Sequence, residues 1–337
     1  METVLVTGGT GFIGLHCIQQ LLDQGYKVRT TIRSESRKEE VLSAMKEHST
    51  NYENLEIYLA NLMDDKGWSE AISGCKYVLH VASPFFLGEP EDENVFIKPA
   101  VEGTLRVLNA CAEEGVEKVV LTSSFAAVGY GHPSDKEFYS EDDWSSTDGD
   151  ISHYAKSKTL AEKAAWNFIE NLDDSKKFRL TVINPVGVTG PMLTDDIGSS
   201  NDFLLKLISG SMPACPKIHM GIVDVRDVAK AHIFAMKEEK TDGERIIASE
   251  NEMFFVEVGR ILNKAGFQKS PTREMPNFLV RVMALFIGEL KGLLPMLSRK
   301  GDIDKSKAKS IFNWDFITSE QSVEETAQQL QDMGLTK

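Results

Sequence analysis

Tyr154 and Lys158 stand four positions apart in the segment YAKSK. On a helix this spacing places both side chains on one face, and Ala161, Ala165 and Phe168 continue the helical period. A phenol beside an ammonium group can give a proton to a developing alkoxide, because the positive charge stabilises the phenolate. A Tyr–Lys pair occurs by chance in many chains of this length, so this interpretation depends on further motifs.

A second group of candidate residues is the hydroxyl run Thr122, Ser123 and Ser124, which ends an apolar segment beginning at Val119. Open α/β folds bind ligands at the carboxyl edge of their sheet, where this run would lie. A hydroxyl at that edge could hold a substrate oxygen close to the Tyr–Lys pair. Together with a glycine-rich turn near the N-terminus, the hydroxyl run and the Tyr–Lys pair form a combination that chance does not readily explain.

That turn is the segment TGGTGFIG at residues 7–14, which follows an apolar strand and precedes a helical pattern. Glycines allow the backbone to approach a pyrophosphate, whose charge is then stabilised by the N–H groups at the start of the helix. The mononucleotide motif GxxxxGK[ST] is absent, because Phe12 and Ile13 follow Gly11. The motif therefore predicts a dinucleotide site, and the alternative is a tight turn that binds no ligand.

Arg33 stands 19 residues after Gly14, at the end of the second predicted strand. In NAD-binding proteins an acidic residue there accepts hydrogen bonds from the ribose 2′-hydroxyl. A guanidinium group instead matches a 2′-phosphate, and Arg37 or Lys38 could close the other side. NADPH is therefore favoured over NADH. Glu35 argues against a 2′-phosphate at this position, because its carboxylate would repel the phosphate. The alternative interpretation of residues 33–38 is the solvated start of a helix.

These residues need a scaffold, and the first half of the chain alternates short β-rich apolar runs with helical patterns. Such alternation is typical of βαβ units around a parallel sheet that is buried on both faces. The predicted strands are 4–6, 27–33, 55–59, 77–82, 119–122, 180–184 and, returning later to the sheet, 245–248.

The expected fold is an α/β doubly wound parallel sheet of the Rossmann type with a smaller, discontinuous, mostly helical lobe that binds substrate. Residues 1–185 and 224–250 are assigned to the dinucleotide-binding domain. Residues 186–223 and 251–337 are assigned to the substrate lobe, since Gly and Pro punctuate the sequence after Pro185.

Composition excludes several classes of function. The 337 residues carry 37 Lys and Arg against 51 Asp and Glu, and a net charge of −14 argues against a nucleic-acid partner. The four cysteines are far apart with no CxxC motif, so neither a metal site nor a disulfide framework is expected. The N-terminus has no export signal, which favours the cytoplasm.

The longest apolar stretch, 278–297, is interrupted by Arg281, Glu289, Lys291 and Pro295, so a transmembrane span is not expected. We predict that it forms a helical cap over the substrate pocket, with a membrane-surface helix as the alternative. A membrane partner is otherwise not expected. The cap would contribute flexible apolar side chains to the pocket, namely Met283, Leu285, Phe286 and Met296.

Several segments together resemble the extended short-chain dehydrogenase/reductases: TGGTGFIG, VLTSS, YAKSK and NPVGVTGP. Within that superfamily, VRTTIR, HVASPF, SKTLAEKAAW and VDVRDVAKAHI are similar to the branch of dihydroflavonol reductase and cinnamoyl-CoA reductase, which includes microbial aldehyde and ketone reductases. The resemblance covers residues 3–250 and is specific for fold and cofactor rather than for substrate.

The resemblance implies roles for individual residues. Ser124, preferred to Ser123 on the family pattern, would form the catalytic triad with Tyr154 and Lys158. The residues implied for the cofactor are Gly8, Gly11, Phe12, Ile13 and Gly14 in the turn, Arg33, Arg37 and Lys38, Asn61 and Leu62, Val81, Ala82 and Ser83, Pro185 and Val188, together with Tyr154 and Lys158. Asn61 departs from the family, which usually has Asp there to contact adenine.

The implied activity is the reversible, NADPH-dependent reduction of an aldehyde or ketone, with the proton supplied by Tyr154. An apolar or aromatic carbonyl substrate is expected from six residues: Phe85, Phe86, Leu193, Phe203, Leu204 and Met212. One alternative is a nucleotide-sugar epimerase of the same fold, and another is a non-catalytic NADP-binding sensor. The chain could be a monomer or a homodimer. His80, His132 and His153 are not expected to act as catalytic bases.

Overall fold

The computed structural model describes residues 1–83, 92–133 and 135–336. The strands are β1 Thr3–Val6, β2 Lys27–Ile32, β3 Leu55–Leu59, β4 Tyr77–His80, β5 Lys118–Thr122, β6 Phe138–Tyr139, β7 Arg179–Pro185, β8 Gly187–Thr189, β9 Cys215–Pro216, β10 His219–Asp224, β11 Arg245–Ala248, β12 Asn251–Phe254, β13 Glu274–Met275 and β14 Asp302–Ile303. The helices are α1 Phe12–Asp23, α2 Lys38–His48, α3 Trp68–Ile72, α4 Asn94–Glu113, α5 His153–Asn171, α6 Gly198–Ile208, α7 Val225–Lys237, α8 Phe255–Lys264, α9 Asn277–Met283, α10 Ser306–Ile311 and α11 Ser319–Asp332.

The largest sheet has seven parallel strands in the order β11-β7-β5-β4-β1-β2-β3. The chain starts in the middle, at β1, and winds outward in both directions, so β1 and β4 form the switch point at which open α/β sheets bind ligands. All seven predicted strands are present, and β11 returns to the edge beside β7 as expected. The predicted doubly wound sheet is therefore confirmed.

Helices cover both faces of this sheet, because successive side chains of each strand point to opposite sides. Val4 and Val6 pack in a cluster with residues of α1 and α7, whereas Leu5 packs in a second cluster with residues of α4 and α5. All three side chains are fully buried. This two-sided burial explains why the strands are continuous apolar runs.

A smaller, mostly helical lobe follows the sixth strand of the sheet. It contains the three-stranded sheet β12-β10-β8, and its apolar cluster brings together residues of α6, α8 and α11. In α11 the buried residues Val323, Ala327 and Leu330 recur at helical spacing and belong to this cluster. The residue boundaries of the two predicted domains stay a prediction. Ala308 and Ile311 of α10 and Phe312 pack in the same cluster as Val4 and Val6.

Among the described residues, none of the helices combines the length and apolar character needed to cross a bilayer. Residues 278–297 form α9 and, after a turn, a 3₁₀ helix over Gly288–Met296.

Candidate active site

The glycine-rich turn connects β1 to α1 with very little space. Gly8 has φ +76°, and a Cβ there would lie 3.0 Å from the Cα of Ala82. A Cβ on Gly14 would overlap the carbonyl oxygen of Gly8, and one on Gly9 would overlap the side chain of Thr30. Because Gly11 precedes the first helical residue and has no side chain, the first N–H groups of α1 remain open to an anion.

Thr7 and His80 connect the ends of β1 and β4 beside this turn. Oγ1 of Thr7 accepts a hydrogen bond from the backbone N–H of Ala82 at 2.9 Å and is 2.8 Å from Nδ1 of His80. Burial, with a further contribution from the charge of Lys158, lowers the pKa of His80 to about 3. His80 is therefore a neutral, buried residue of the switch point.

A cavity of about 910 Å³ extends from the glycine turn along the carboxyl edge of the sheet to the smaller lobe. Almost all of the predicted site residues line it: Gly8, Gly11, Phe12, Ile13, Arg33, Arg37, Asn61, Leu62, Val81, Ala82, Ser83, Ser124, Tyr154, Lys158, Pro185 and Val188. Gly14 and Lys38 are not part of its lining. Gly14 is buried, and because it has no side chain α1 can lie close to the turn. The side chain of Lys38 is instead paired with Glu35 at 3.1 Å.

The two predicted guanidinium groups have different surroundings. Arg37 donates to both carboxylate oxygens of Glu40, at 2.7 and 2.6 Å, and to Asp196 at 2.9 Å. Arg33 is exposed at the end of β2 and, within the described parts of the chain, has no ion pair. Arg33 is therefore the more available cation for an anionic ligand, while Arg37 is partly neutralised by its neighbours.

Ser124 and Tyr154 meet in the wall of the cavity. Tyr154 lies in the first turn of α5, which is capped by Ser152, whose Oγ accepts from the N–H of Ala155 at 3.2 Å. Ser124 and Tyr154 both line the cavity, and the hydroxyl of Ser124 acts to lower the pKa of the Tyr154 phenol. Ser123 is engaged elsewhere, because its Oγ donates to Glu162 at 2.5 Å. The hydroxyl of Ser124 therefore acts on the phenol of Tyr154, whereas that of Ser123 is occupied by Glu162.

Burial acts on both members of the Tyr–Lys pair. It raises the pKa of Tyr154, and the hydroxyl of Ser124 opposes this only in part. Burial lowers the pKa of Lys158 to about 8, against the attraction of Glu162, and Nζ of Lys158 lies 3.5 Å from the carbonyl oxygen of Thr122. The pKa of Tyr154 is thus raised, whereas the Tyr–Lys pair predicted that it would be lowered. The stabilisation of the phenolate by Lys158 therefore stays a prediction.

Glu162 was missed in the sequence, although it lies one helical turn after Lys158. Its buried carboxylate accepts hydrogen bonds from Ser123, from Asn184 at 2.7 Å, and from Arg245. The guanidinium of Arg245 also lies over the ring of Trp144 at 3.7 Å. The i, i+4 spacing from Lys158 was visible, but the burial of a glutamate could not be inferred from it.

The substrate end of the cavity differs from the prediction. Of the six residues expected there, Leu193 lines the cavity. Phe203 packs against Phe255, with ring centroids 4.3 Å apart, and Leu204 is buried in the core of the smaller lobe. Met212 packs against the same core. These three positions were wrong because apolar character alone does not show whether a side chain packs in the core or lines the cavity. Phe85 and Phe86 lie outside the described residues.

The predicted cap over the pocket is only half right. Leu293 and Met296 of the 3₁₀ helix line the cavity. Leu285 and Phe286 are 75% and 84% exposed and are not part of the lining. Met283 is also absent from the lining.

The cavity is also lined by polar residues that the sequence analysis did not predict, among them Arg299, Lys300 and His219. They come from the smaller lobe, where no motif marked them. Nε2 of His132 is 2.7 Å from the carbonyl oxygen of Val128, and neither His132 nor His153 lines the cavity.

The junction between the two lobes is held by charged groups. The side chains of Asp224 and Arg226 pair at 2.8 Å, and Arg226 also contacts Glu325 of α11 at 2.7 Å. Asp227 instead accepts hydrogen bonds from Trp314 and from the backbone of Ile317.

The chain is similar to reductases of known activity. Residues 4–248 match the model of the NAD dependent epimerase/dehydratase family. A cinnamoyl-CoA reductase of Medicago truncatula is 33% identical over 340 residues, which cover 98% of this chain and 96% of that relative. The NADPH-dependent methylglyoxal reductase of Saccharomyces cerevisiae is 32% identical, over 97% of this chain and 98% of the relative.

The same similarity holds in three dimensions. The crystal structure of yeast methylglyoxal/isovaleraldehyde reductase Gre2 complexed with NADPH has a TM-score of 0.82 and 28% sequence identity, and the match covers 99% of this chain and 100% of that one. These matches confirm the predicted fold and the resemblance to the reductase branch.

Proposed function

The chain belongs to the NAD-dependent epimerase/dehydratase family, and on that premise we propose that it is an NADPH-dependent oxidoreductase that reduces an aldehyde or ketone to an alcohol. The observation that carries this proposal is that Ser124, Tyr154 and Lys158 line one cavity, which begins at the glycine turn. Relatives along the whole chain are named as reductases, one of them NADPH-dependent.

The residues present fit a dinucleotide phosphate. Side chains at Gly8, Gly9 or Gly14 would close the turn in which the pyrophosphate would bind, with Gly11, Phe12 and Ile13 presenting the start of α1. Arg33 would bind the 2′-phosphate, assisted by Arg37. The residues that would hold the remainder of the cofactor are Asn61 and Leu62 at the adenine, Val81, Ala82 and Ser83 along the groove, and Pro185 and Val188 beside the nicotinamide.

When bound, NADPH supplies a hydride to the carbonyl carbon. Ser124 donates a hydrogen bond to the carbonyl oxygen and holds it beside Tyr154. The phenol of Tyr154 then transfers its proton to the alkoxide oxygen, leaving a phenolate. The ammonium of Lys158 stabilises this anion, and at about 4 Å and an effective dielectric of 20 a unit charge contributes at most about 4 kcal/mol. This attraction opposes the rise in the pKa of Tyr154 that burial produces.

Two observations favour a reductase over a nucleotide-sugar epimerase. Arg33 lies at the cavity where an acidic residue would be expected in an enzyme that retains NAD. The substrate end is lined in part by the apolar side chains of Leu193, Leu293 and Met296. An epimerase would leave purification with tightly bound, non-exchanging NAD. A non-catalytic sensor would bind NADPH and oxidise none of it with any carbonyl compound.

The test is to follow the absorbance of NADPH and of NADH separately against a panel of aldehydes, ketones and flavonoid-like compounds. We expect NADPH to be consumed in preference. Tyr154→Phe should keep NADPH affinity within a factor of about two and lose turnover by orders of magnitude, because the ring remains and only the proton donor is removed. Near-normal turnover of this variant would exclude Tyr154 as the proton donor.

A further inference from the structure

Residues 277–287 form a segment that is apolar on two opposite sides. Val280 and Ala284 are buried, and they attach α9 and the turn after it to the protein. The opposite side leaves six large apolar side chains exposed, and we call this group the apolar face: Phe278, Leu279, Val282, Leu285, Phe286 and Ile287. Within α9 and the following turn, positions 278, 282 and 286 repeat every four residues and therefore share one side of a helix.

The degree of exposure is unusual for a folded chain. Phe278 is 65% exposed, and Leu285 and Phe286 are exposed by 75% and 84%. Scattered apolar residues are normal on a protein surface, but a contiguous group of this size marks an interaction site. A helix with apolar side chains on two opposite sides normally has both of those sides covered. The apolar face therefore requires an occupant.

The charge around the apolar face identifies what kind of occupant fits. Residues 264–300 contain seven Lys and Arg but only two Asp and Glu, a net charge of +5 in a chain whose total is −14. Arg281 and Lys291 are exposed beside the face, and among the described residues they form no ion pair. An apolar surface surrounded by free cations on an otherwise acidic protein is complementary to an anionic, apolar partner.

We propose that the apolar face docks onto an anionic phospholipid surface, with the aromatic and leucine side chains entering the acyl boundary and Arg281 and Lys291 contacting headgroup phosphates. A second copy of the chain fits less well. In a two-fold interface the same patch meets itself, so the cations of one copy would face those of the other. The acidic remainder of the protein would stay away from the membrane.

Docking in this way would place the cavity beside the lipid surface. The 3₁₀ helix Gly288–Met296 follows the apolar face directly, and its Leu293, Pro295 and Met296 line the cavity. An apolar substrate that partitions into the bilayer could then reach the site from the membrane. The docking itself does not depend on the proposed activity, because it rests on the exposed face and its charge.

Flotation of the full chain with vesicles tests the proposal. We expect binding to vesicles of phosphatidylcholine with phosphatidylserine, weaker binding to phosphatidylcholine alone, and loss of binding at high salt. Leu285→Ser with Phe286→Ser should lower the partition coefficient by about tenfold or more. The matched control is Leu59→Ser with Leu335→Ser, two exposed leucines outside the face, which should bind as the unmodified chain does.

A second pair of variants tests the charge. Arg281→Glu with Lys291→Glu should abolish the preference for anionic vesicles, whereas Lys46→Glu with Lys66→Glu, exposed lysines elsewhere, should retain it. The circular dichroism spectra of all variants should match that of the unmodified chain. Three outcomes would overturn the proposal: no vesicle binding by the unmodified chain, equal binding by the face variant, or a dimer that the face variant dissociates in the absence of vesicle binding.

Discussion

Glu162 lies one turn after Lys158 on α5, and both side chains are buried. The carboxylate attracts the ammonium and raises the pKa of Lys158, while burial lowers it to about 8. Glu162 does not line the main cavity and is therefore a positioning residue. Through Ser123 and Asn184 it also connects α5 to the ends of β5 and β7.

Lys158 should determine the alkaline limit of activity in the free enzyme. Its pKa of about 8 means that the ammonium predominates below this pH and is lost above it. We therefore expect kcat/KM to fall as the pH rises through about 8, since this ratio reports groups of the free enzyme. Lys158→Arg keeps its charge at all accessible pH values. Its activity would be lower, but its pH profile should lack the alkaline decline, and persistence of that decline would assign it to another group.

Replacing Glu162 by Gln should move the alkaline limit to lower pH. Without the carboxylate the pKa of Lys158 falls further, by about one unit, so the decline in kcat/KM would begin at lower pH. Arg245 would also lose its buried partner, and the free energy of unfolding should fall by about 3 kcal/mol. Glu170→Gln, an exposed position on the same helix, is the control. A fall in stability with an unchanged pH profile would show a purely structural role.

Arg33 should set the preference for NADPH over NADH. Hydrogen bonds between charged groups contribute about 1.5–3 kcal/mol, so Arg33→Ala should lower the ratio of kcat/KM for NADPH to that for NADH by about 10- to 100-fold. Lys38→Ala is the matched control, because Lys38 is paired with Glu35 and does not line the cavity. An equal effect of both substitutions would indicate a diffuse electrostatic contribution instead of a specific contact.

Gly14 should be intolerant of even one methyl group. A Cβ there would overlap the carbonyl oxygen of Gly8, so Gly14→Ala must displace α1 from the turn. We expect the dissociation constant for NADPH, measured by fluorescence titration, to rise by about tenfold or more. Gly288→Ala is the control, since no atom lies within 4 Å of a Cβ at that position. Unchanged affinity of Gly14→Ala would mean that the turn does not position the cofactor.

The strands and most cavity residues could be predicted because their signals are local. A buried parallel strand must be an apolar run, and the residue after its last position necessarily lies at the carboxyl edge. The resemblance to the reductase branch assigned Val81, Ser124 and Pro185, which are far apart in the chain, to one cavity, and all three line it at the carboxyl ends of β4, β5 and β7. Failures were concentrated in the smaller lobe, where Leu204 and Phe286 were assigned to the pocket from apolar character alone.

The sequence by itself determined the order of the elements, the glycine turn and the hydroxyl, phenol and ammonium groups at the edge of the sheet, because short-range spacing and steric requirements specify them. Only the tertiary structure decided which of these groups are neutralised or buried. Arg37 meets Asp196 from 159 residues away, and Glu162 becomes buried because Ser123, Asn184 and Arg245 converge on it. Burial and partners reflect contacts between distant segments, and these contacts set the charge and pKa of each group.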